Sequence, residues 1–345
     1  MTKLLPSSRL RNPGDLLAAV PHLLGFHPSD SIVVLVVRDH EVSLTLRIDL
    51  PPPDLPHDAV ARLLEPLASC RGDEAAVIVV GGGPGDPPEH LPCAAVVDEL
   101  HDALHGAGLV LLAAVWARAT AKGERWFDYH DVGTWGTVPD PSSTVFAAAS
   151  AAEGQVTYAS RAAMDEVLVP DPPAALSRRT ALLNRLAADP EAADPEAADE
   201  IPTRHRELIH AEVLRAATRK RPLTDEEVAD LAHALSNPLT RDASLAYCTG
   251  EHARSAELLW TELTRASPTP ERAEPATLLA FCAYIRGNGA LAAMALERAQ
   301  NANPTHRLSA LLRTALRMGL HPTEIRHLAE QAAETDWTTP PTTTL

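Results

Sequence analysis

Aromatic residues are scarce in this 345-residue chain, where phenylalanine, tyrosine and tryptophan together make up 4%. A core short of large rings has to be filled by aliphatic side chains and alanine. Cysteine is sparse as well. Cys70, Cys93, Cys248 and Cys282 lie far apart and form no C-x-x-C pair. That excludes a zinc ribbon, and the four read as buried small hydrophobes in a reducing compartment with no disulfide framework. Long apolar runs are missing: Ile32–Val37 and Leu109–Ala117 fall far short of the roughly 20 residues of a membrane helix. No apolar segment of signal-peptide length precedes the proline of Met1-Thr2-Lys3-Leu4-Leu5-Pro6, so the expected location is the cytoplasm. The last shortage is of positive charge. There are 46 acids against 30 bases, a formal net charge of −16, and residues 1–170 hold 22 acids and 11 bases. An acidic first half repels phosphate backbones, which argues against a nucleic-acid partner.

What is present begins with the most locally consistent stretch, Asn12 to Val37. Asn12 can accept from first-turn amides, Pro13 suits the first helical position and Asp15 sits at the favourable end of the helix dipole. Leu16, Leu17, Val20, Leu23 and Leu24 make an apolar helical face. Pro21 is expected to kink or split this helix, and Gly25 to end it. Ile32–Val37 is a β-branched run without polar alternation, the pattern of a strand covered on both faces. After a turn at Arg38-Asp39-His40-Glu41, Val42, Leu44, Leu46 and Ile48 alternate with polar residues, giving a half-buried hairpin partner.

A helix from about His57 to Ser69, a buried strand Ala75–Val80, a helix near Pro92–His105 and strands Leu109–Arg118 and Glu124–Tyr129 follow. Together they predict a mixed α/β sandwich over residues 1–170. A helix around Pro173–Ala188 runs into DPEAADPEAADE, residues 189–200, an acidic proline-punctuated repeat expected to link two domains. Residues 201–335 are helical in pattern. They include a capping box at Thr224–Glu227 and helices near 251–266, 275–286, 288–301 and 305–318. Leu279, Ala283, Gly287, Ala292, Leu296, Ala299 and Pro304 have spacings similar to a tetratricopeptide repeat, so this half is expected to be an all-α helical-hairpin domain. Residues 336–345 are expected to be a disordered tail.

The opening NPGDLLAAVPHLLGFHPSDSIVVL resembles the start of the actinobacterial family known as domain of unknown function 4192. So does Lys122-Gly123-Glu124-Arg125-Trp126-Phe127-Asp128-Tyr129, and PATLLAFCAYIRGNGALAAMALERAQNANP looks like that family's C-terminal helices. The likeness covers about residues 9–322 and implies membership, with no activity attached to it. Relatives commonly carry a short cysteine-containing segment after the aromatic strand, where this chain has His130-Asp131-Val132-Gly133-Thr134-Trp135-Gly136. If those cysteines bind metal or do redox work in relatives, this chain is expected to have lost that function or to do it differently.

Candidate chemistry is thin. Gly81-Gly82-Gly83-Pro84-Gly85-Asp86 follows a buried strand, as phosphate loops do. It matches neither nucleotide fingerprint, lacks a lysine and loses amide donors to proline, so it reads as a surface loop. Asp128 and His130, two residues apart on a strand end, would point to one side. With His27 and Asp30 of the first loop, and Arg125, they are the candidate lining of a cleft for an enzyme or a small-ligand or metal sensor. Trp126, Tyr284 and Arg286 are the candidate interaction surface. Arg204, Arg206, Arg215, Arg219, Lys220 and Arg221 read as a solvated helix face partnered by Glu207 and Glu212. No nucleophile motif is present, and no metal or other cofactor is implied. The expectation is a non-enzymatic adaptor whose C-terminal hairpins hold a protein partner or a second copy of the chain.

Overall fold

The computed structural model describes residues 12–334 apart from 40, 53–59, 62, 65, 68–71, 84–89, 132, 153 and 189–200. The proline-rich part of the glycine loop, the acidic repeat and the C-terminal tail therefore lie outside the described residues. The chain forms two compact units. The first is Met1–Glu166 with Gly287–Leu291 and Thr314–His321, and the second is Val167–Arg286 with Ala292–Arg313 and Pro322–Leu345.

In the first unit, α1 (Pro13–Leu24) is capped by the Asn12 side chain, which accepts from Gly14 N at 3.0 Å. It ends at Gly25, which takes a left-handed φ of 81° and donates its N–H to Pro21 O. The helix is not split at Pro21. That residue sits in the last turn, where its missing N–H removes a single ladder bond.

Six strands follow in the order β2-β1-β3-β4-β5-β6. β1 (Ser31–Arg38), β2 (Glu41–Asp49) and β3 (Glu74–Val80) pair antiparallel about β1. α2 (Ala94–Gly106) then crosses to β4 (Val110–Ala117), which lies parallel to β3. β5 (Arg125–Asp128) and β6 (Trp135–Thr137) complete the sheet antiparallel. On one face Ile32, Val34, Val36, Val77, Val79, Trp116 and Phe127 pack on Val60, Leu63 and Leu67 of the helical segment before β3, and on Val97, Leu100 and Leu104 of α2. The residues between them, such as Val33, Leu35, Ile78 and Val115, are just as buried. Both faces are therefore covered, which is why β1 and β3 show no polar alternation. β2 is an edge, and only its Leu44, Leu46 and Ile48 side packs on that core.

The opening Pro-Gly-Asp has a steric reason. A Cβ on Gly14 would stand 2.8 Å from Thr137 O and 3.2 Å from the Trp126 indole nitrogen. A Cβ on Gly136 would stand 2.8–2.9 Å from the same indole. Trp126 thus lies against two glycines, one on α1 and one on β6, a strand with no period-2 signal in the sequence. A 3-10 turn (Pro141–Ser143), α3 (Val145–Ala152) and α4 (Arg161–Glu166) end this part of the chain.

The second unit is helical: α5 (Pro173–Ala187), α6 (Ile201–Ala216), α7 (Asp225–Leu235) and α8 (Pro238–Ser244), two 3-10 turns (Leu245–Cys248 and Gly250–His252), then α9 (Ala253–Ala266) and α10 (Ala273–Ile285). α11 (Gly289–Ala302), α12 (Arg307–Arg317) and α13 (Pro322–Glu334) complete the chain order. Thr224 and Glu227 form the expected reciprocal capping box of α7. α5 belongs to this unit and not to a linker, since its Leu183 packs on Ala229 and Ala232 of α7. Two buried ionic groups tie helices together. Arg179 of α5 reaches Asp171 at 2.7 Å and Asp225 at 2.8 Å. Glu212 of α6 holds Arg215 and Arg219, and Arg219 continues to Glu262 of α9.

The expectation of unpaired cysteines fails for two of the four. Cys248 and Cys282 form a disulfide, with a Cα separation of 4.8 Å, between the first 3-10 turn and α10. Their sequence separation of 34 carries no signal of pairing, which packing of the turn on α10 creates. Cys93 is free, and Cys70 lies outside the described residues. Among the described residues no helix is long and apolar enough to cross a membrane.

Candidate functional site

The β3–α2–β4 crossover is the unit in which a parallel sheet usually offers a crevice, beyond the carboxyl ends of its strands. Three of the polar groups found at that end are held by the fold. Gly81 and Gly82 both have positive φ, and a Cβ on Gly81 would stand 2.6 Å from Asp30 Oδ1, so only glycine fits. Asp30, itself at φ 42°, accepts from Gly82 N at 3.0 Å through Oδ1 and from Leu50 N at 2.8 Å through its carbonyl. Trp116 Nε1 donates to Gly81 O at 2.8 Å. Asp30 therefore works as a clasp between the entry to β1 and the exit of β3.

His27 stands at the same end, in the loop that leads into β1. Its backbone N donates to Tyr158 O at 3.0 Å, and its Nδ1 lies 3.4 Å from the hydroxyl of buried Thr120. Burial lowers its pKa, which keeps the ring neutral at pH 7. A neutral imidazole positioned by a hydroxyl can accept or donate a hydrogen bond to a ligand. Among the described residues it has no carboxylate partner to tune it. Arg47, on β2, donates to Ser31 Oγ at 2.9 Å and to Asp49 at 2.6 Å and stands 6.0 Å from the Phe26 ring.

The other expected lining residues sit elsewhere. Asp128 pairs with Val115, whereas Asp30 precedes β1, and β3 and β4 separate β1 from β5. Three interstrand steps amount to about 14 Å, beyond the reach of a shared metal or proton relay. Asp128 Oδ1 caps the turn that follows, accepting from His130 N at 2.8 Å and Asp131 N at 3.0 Å. The strand ends at Asp128, so the alternation expected to align Asp128 with His130 does not extend that far. The His130 ring instead meets His101 of α2 edge-on at 5.1 Å. Among the described residues no group of three histidine, cysteine or acidic side chains is placed to hold a metal ion.

The expected interaction surface is largely interior. Trp126 is 7% exposed and Tyr284 4%. Arg286 is paired with Glu257. Of the basic stretch, Arg215 and Arg219 are bound to Glu212, and Arg221 to Glu227 at 2.6 Å. Among the described residues, the tryptophan that does reach solvent is Trp135, 54% exposed on the edge strand β6. Arg125 stacks on it, with its guanidinium carbon 4.5 Å from the Trp135 ring and 5.1 Å from Phe127. Sequence reasoning passed over Trp135 because a three-residue strand carries no period, and over Thr120 because a loop threonine has no pattern.

The profile of the family described as domain of unknown function (DUF4192) matches residues 13–323. The chain belongs to the DUF4192 family. No curated protein and no solved structure matches it. In the opening stretch of the chain Asn12 serves as a cap, Gly14 as a close-packing point and Asp30 as a strand clasp.

Proposed function

We propose that this DUF4192 protein is a non-enzymatic interaction protein, an adaptor that holds a protein partner or a second copy of itself. The observation that supports this reading is Trp135, a half-exposed tryptophan stacked by Arg125 on a sheet edge in a chain where most other described aromatic rings are interior. Tryptophan and arginine dominate the energetics of protein interfaces, and a ring already held by a neighbour loses little freedom on binding. The helical hairpins, tetratricopeptide-like in spacing, supply a second holding surface in this reading. Leu239 and Leu311 stand 50% and 66% exposed there. The test is affinity capture and sedimentation of the full chain beside Trp135→Ala and Arg125→Ala. A partner, or self-association, that weakens at least about tenfold in both variants is the expected result. Identical behaviour of wild type and variants would remove the reading.

A second reading, a small-ligand sensor, rests on neutral His27 beside Thr120 at the carboxyl end of the parallel strands. A thermal-shift screen with divalent metals and nucleotides would support it only if His27→Gln abolished the shift.

A further inference from the structure

We propose that the Cys248–Cys282 pair is a reversible thiol–disulfide clasp that fixes the 3-10 segment carrying Tyr247. The inference does not depend on the function proposed above.

The two cysteines stand on unequal supports. Cys282 lies in α10, where every residue from Ala273 to Ile285 except Glu274 is buried, so it is an anchored position. Cys248 ends the segment Leu245–Cys248, a 3-10 turn followed after Thr249 by a second one, Gly250–His252. Short 3-10 turns have poorer hydrogen bonding than an α-helix and open locally at lower cost. Gly250 joins the two turns with φ 71°, and a Cβ there would meet nothing within 4 Å, so the joint is uncrowded. One cysteine is thus fixed in a long buried helix and the other rides on a short 3-10 turn.

Both redox states are accommodated. The Cα separation of 4.8 Å lies inside the range a disulfide spans. When the pair is reduced, Cys248 Sγ has an acceptor 3.7 Å away in Leu278 O, so the buried thiol is not left without a partner. The sulfurs are enclosed, at 2% and 1% residue exposure. Exchange with a small thiol therefore proceeds through opening of the 3-10 segment, which makes the clasp slow to set and slow to release. Closure is an exchange with a disulfide oxidant of the glutathione class. One cysteine thiolate attacks the oxidant to form a mixed disulfide and expels one glutathione thiolate. The second thiolate then attacks the protein sulfur and expels the other. The two protons lost by the cysteines are taken up by the two leaving thiolates, and the reverse sequence opens the clasp.

The readout lies one residue away. Tyr247 O–H is 3.1 Å from His210 Nδ1, its ring is stacked on the same histidine at 5.8 Å, and His252 completes the group at 6.4 Å from both. His210 is exposed. Releasing Cys248 frees the turn that holds Tyr247 in this surface group.

The experiment uses the full chain equilibrated across ratios of reduced to oxidised glutathione. Alkylation and peptide mass spectrometry identify Cys248 and Cys282 separately from Cys70 and Cys93, and hydrogen exchange is followed over residues 245–252. The expected result is a reversible two-electron titration of the pair, with amide exchange in 245–252 at least tenfold faster in the reduced form. Cys248→Ser, which keeps a donor for Leu278 O, is expected to show the fast exchange at every ratio. The proposal is overturned if the pair stays reduced under full oxidation or cannot be reduced without global unfolding. It is equally overturned if both forms exchange alike.

Discussion

The two units use charge in opposite ways. In the α/β unit the core is apolar, and carboxylates stand at chain reversals: Asp30 on Gly82, Asp128 on the turn after β5, and Asp140 on Ser142. In the helical unit charged side chains sit between elements, as with Arg179 among Asp171, Asp225 and the Ala266 carbonyl, or Glu274 between Arg241 and His306. A sheet satisfies its own backbone through the ladder and positions its strands by register, so side-chain polar groups are needed only where the ladder stops. Helices satisfy themselves internally and specify nothing about their neighbours. Alanine-rich faces pack closely but discriminate little, and directional ion pairs fix which helix meets which.

The sharpest break of this comparison is Arg179→Met against Asp128→Ala, compared by urea unfolding. Removing Arg179 takes away the bridge between Asp171 and Asp225, which keep Arg265 at 3.2 Å and Arg178 at 2.6 Å, and strips the Ala266 carbonyl of its donor; it is expected to cost about 3 kcal/mol, the upper end for hydrogen bonds to charged groups. Losing a turn cap such as Asp128 is expected to cost about 1 kcal/mol. Equal losses would mean that ionic contacts do not distinguish the units.

The same contrast explains what was legible beforehand. β1, β3 and β4 were readable because each is a local run of β-branched or apolar residues bounded by turn formers, and α1 because cap, proline and glycine all agree. β6 was not, since three residues have no period and its place depends on Gly136 meeting Trp126. The cleft was misassembled for a related reason. Strand order is a non-local property that the sequence does not carry, and two strands stand between β1 and β5. In the helical half, periodicity located the helices to within a few residues. It carries no sign of the Cys248–Cys282 pair, which exists only through packing, and Tyr284 and Trp126, both close to arginines in sequence, are buried by tertiary packing that their neighbours do not reveal.

Smaller effects sharpen the comparison. Gly136→Ala forces a methyl to within 2.9 Å of the Trp126 indole, in a sheet whose register cannot yield locally. Overpacking of this kind is expected to cost about 1–3 kcal/mol and to shift Trp126 fluorescence. Thr224→Ala, which removes one half of the α7 capping box, is expected to cost only about 1 kcal/mol. Its partner Glu227 has its pKa held down at about 2, first by the Arg221 hydrogen bond.

The smallest expected effect is the dependence on pH, and it separates the units. Burial lowers the pKa of His27 in the first unit, and burial followed by the nearby charges of His233 and Arg204 lowers that of His205 in the second. In both cases the unfolded chain, titrating near 6.5, binds protons more readily than the folded one. The stability each neutral ring contributes is therefore complete above that value and is lost as pH falls below it. Glu227 acts in a different window, because its contribution is complete above its ordinary 4.5 and is lost only as pH falls toward 2. Lowering pH from 7.5 to 5.5 thus reports on the histidines and leaves that carboxylate ionised. Hydrogen-exchange protection, corrected for the intrinsic amide rate at each pH and read separately over residues 12–166 and 201–286, is expected to fall in both regions over this interval. His27→Gln should remove part of the pH dependence from the first region alone, and His205→Gln part of it from the second alone. If either substitution flattened both regions together, the two units would unfold as one cooperative body, and the contrast in how they use charge would describe local chemistry without independent stability.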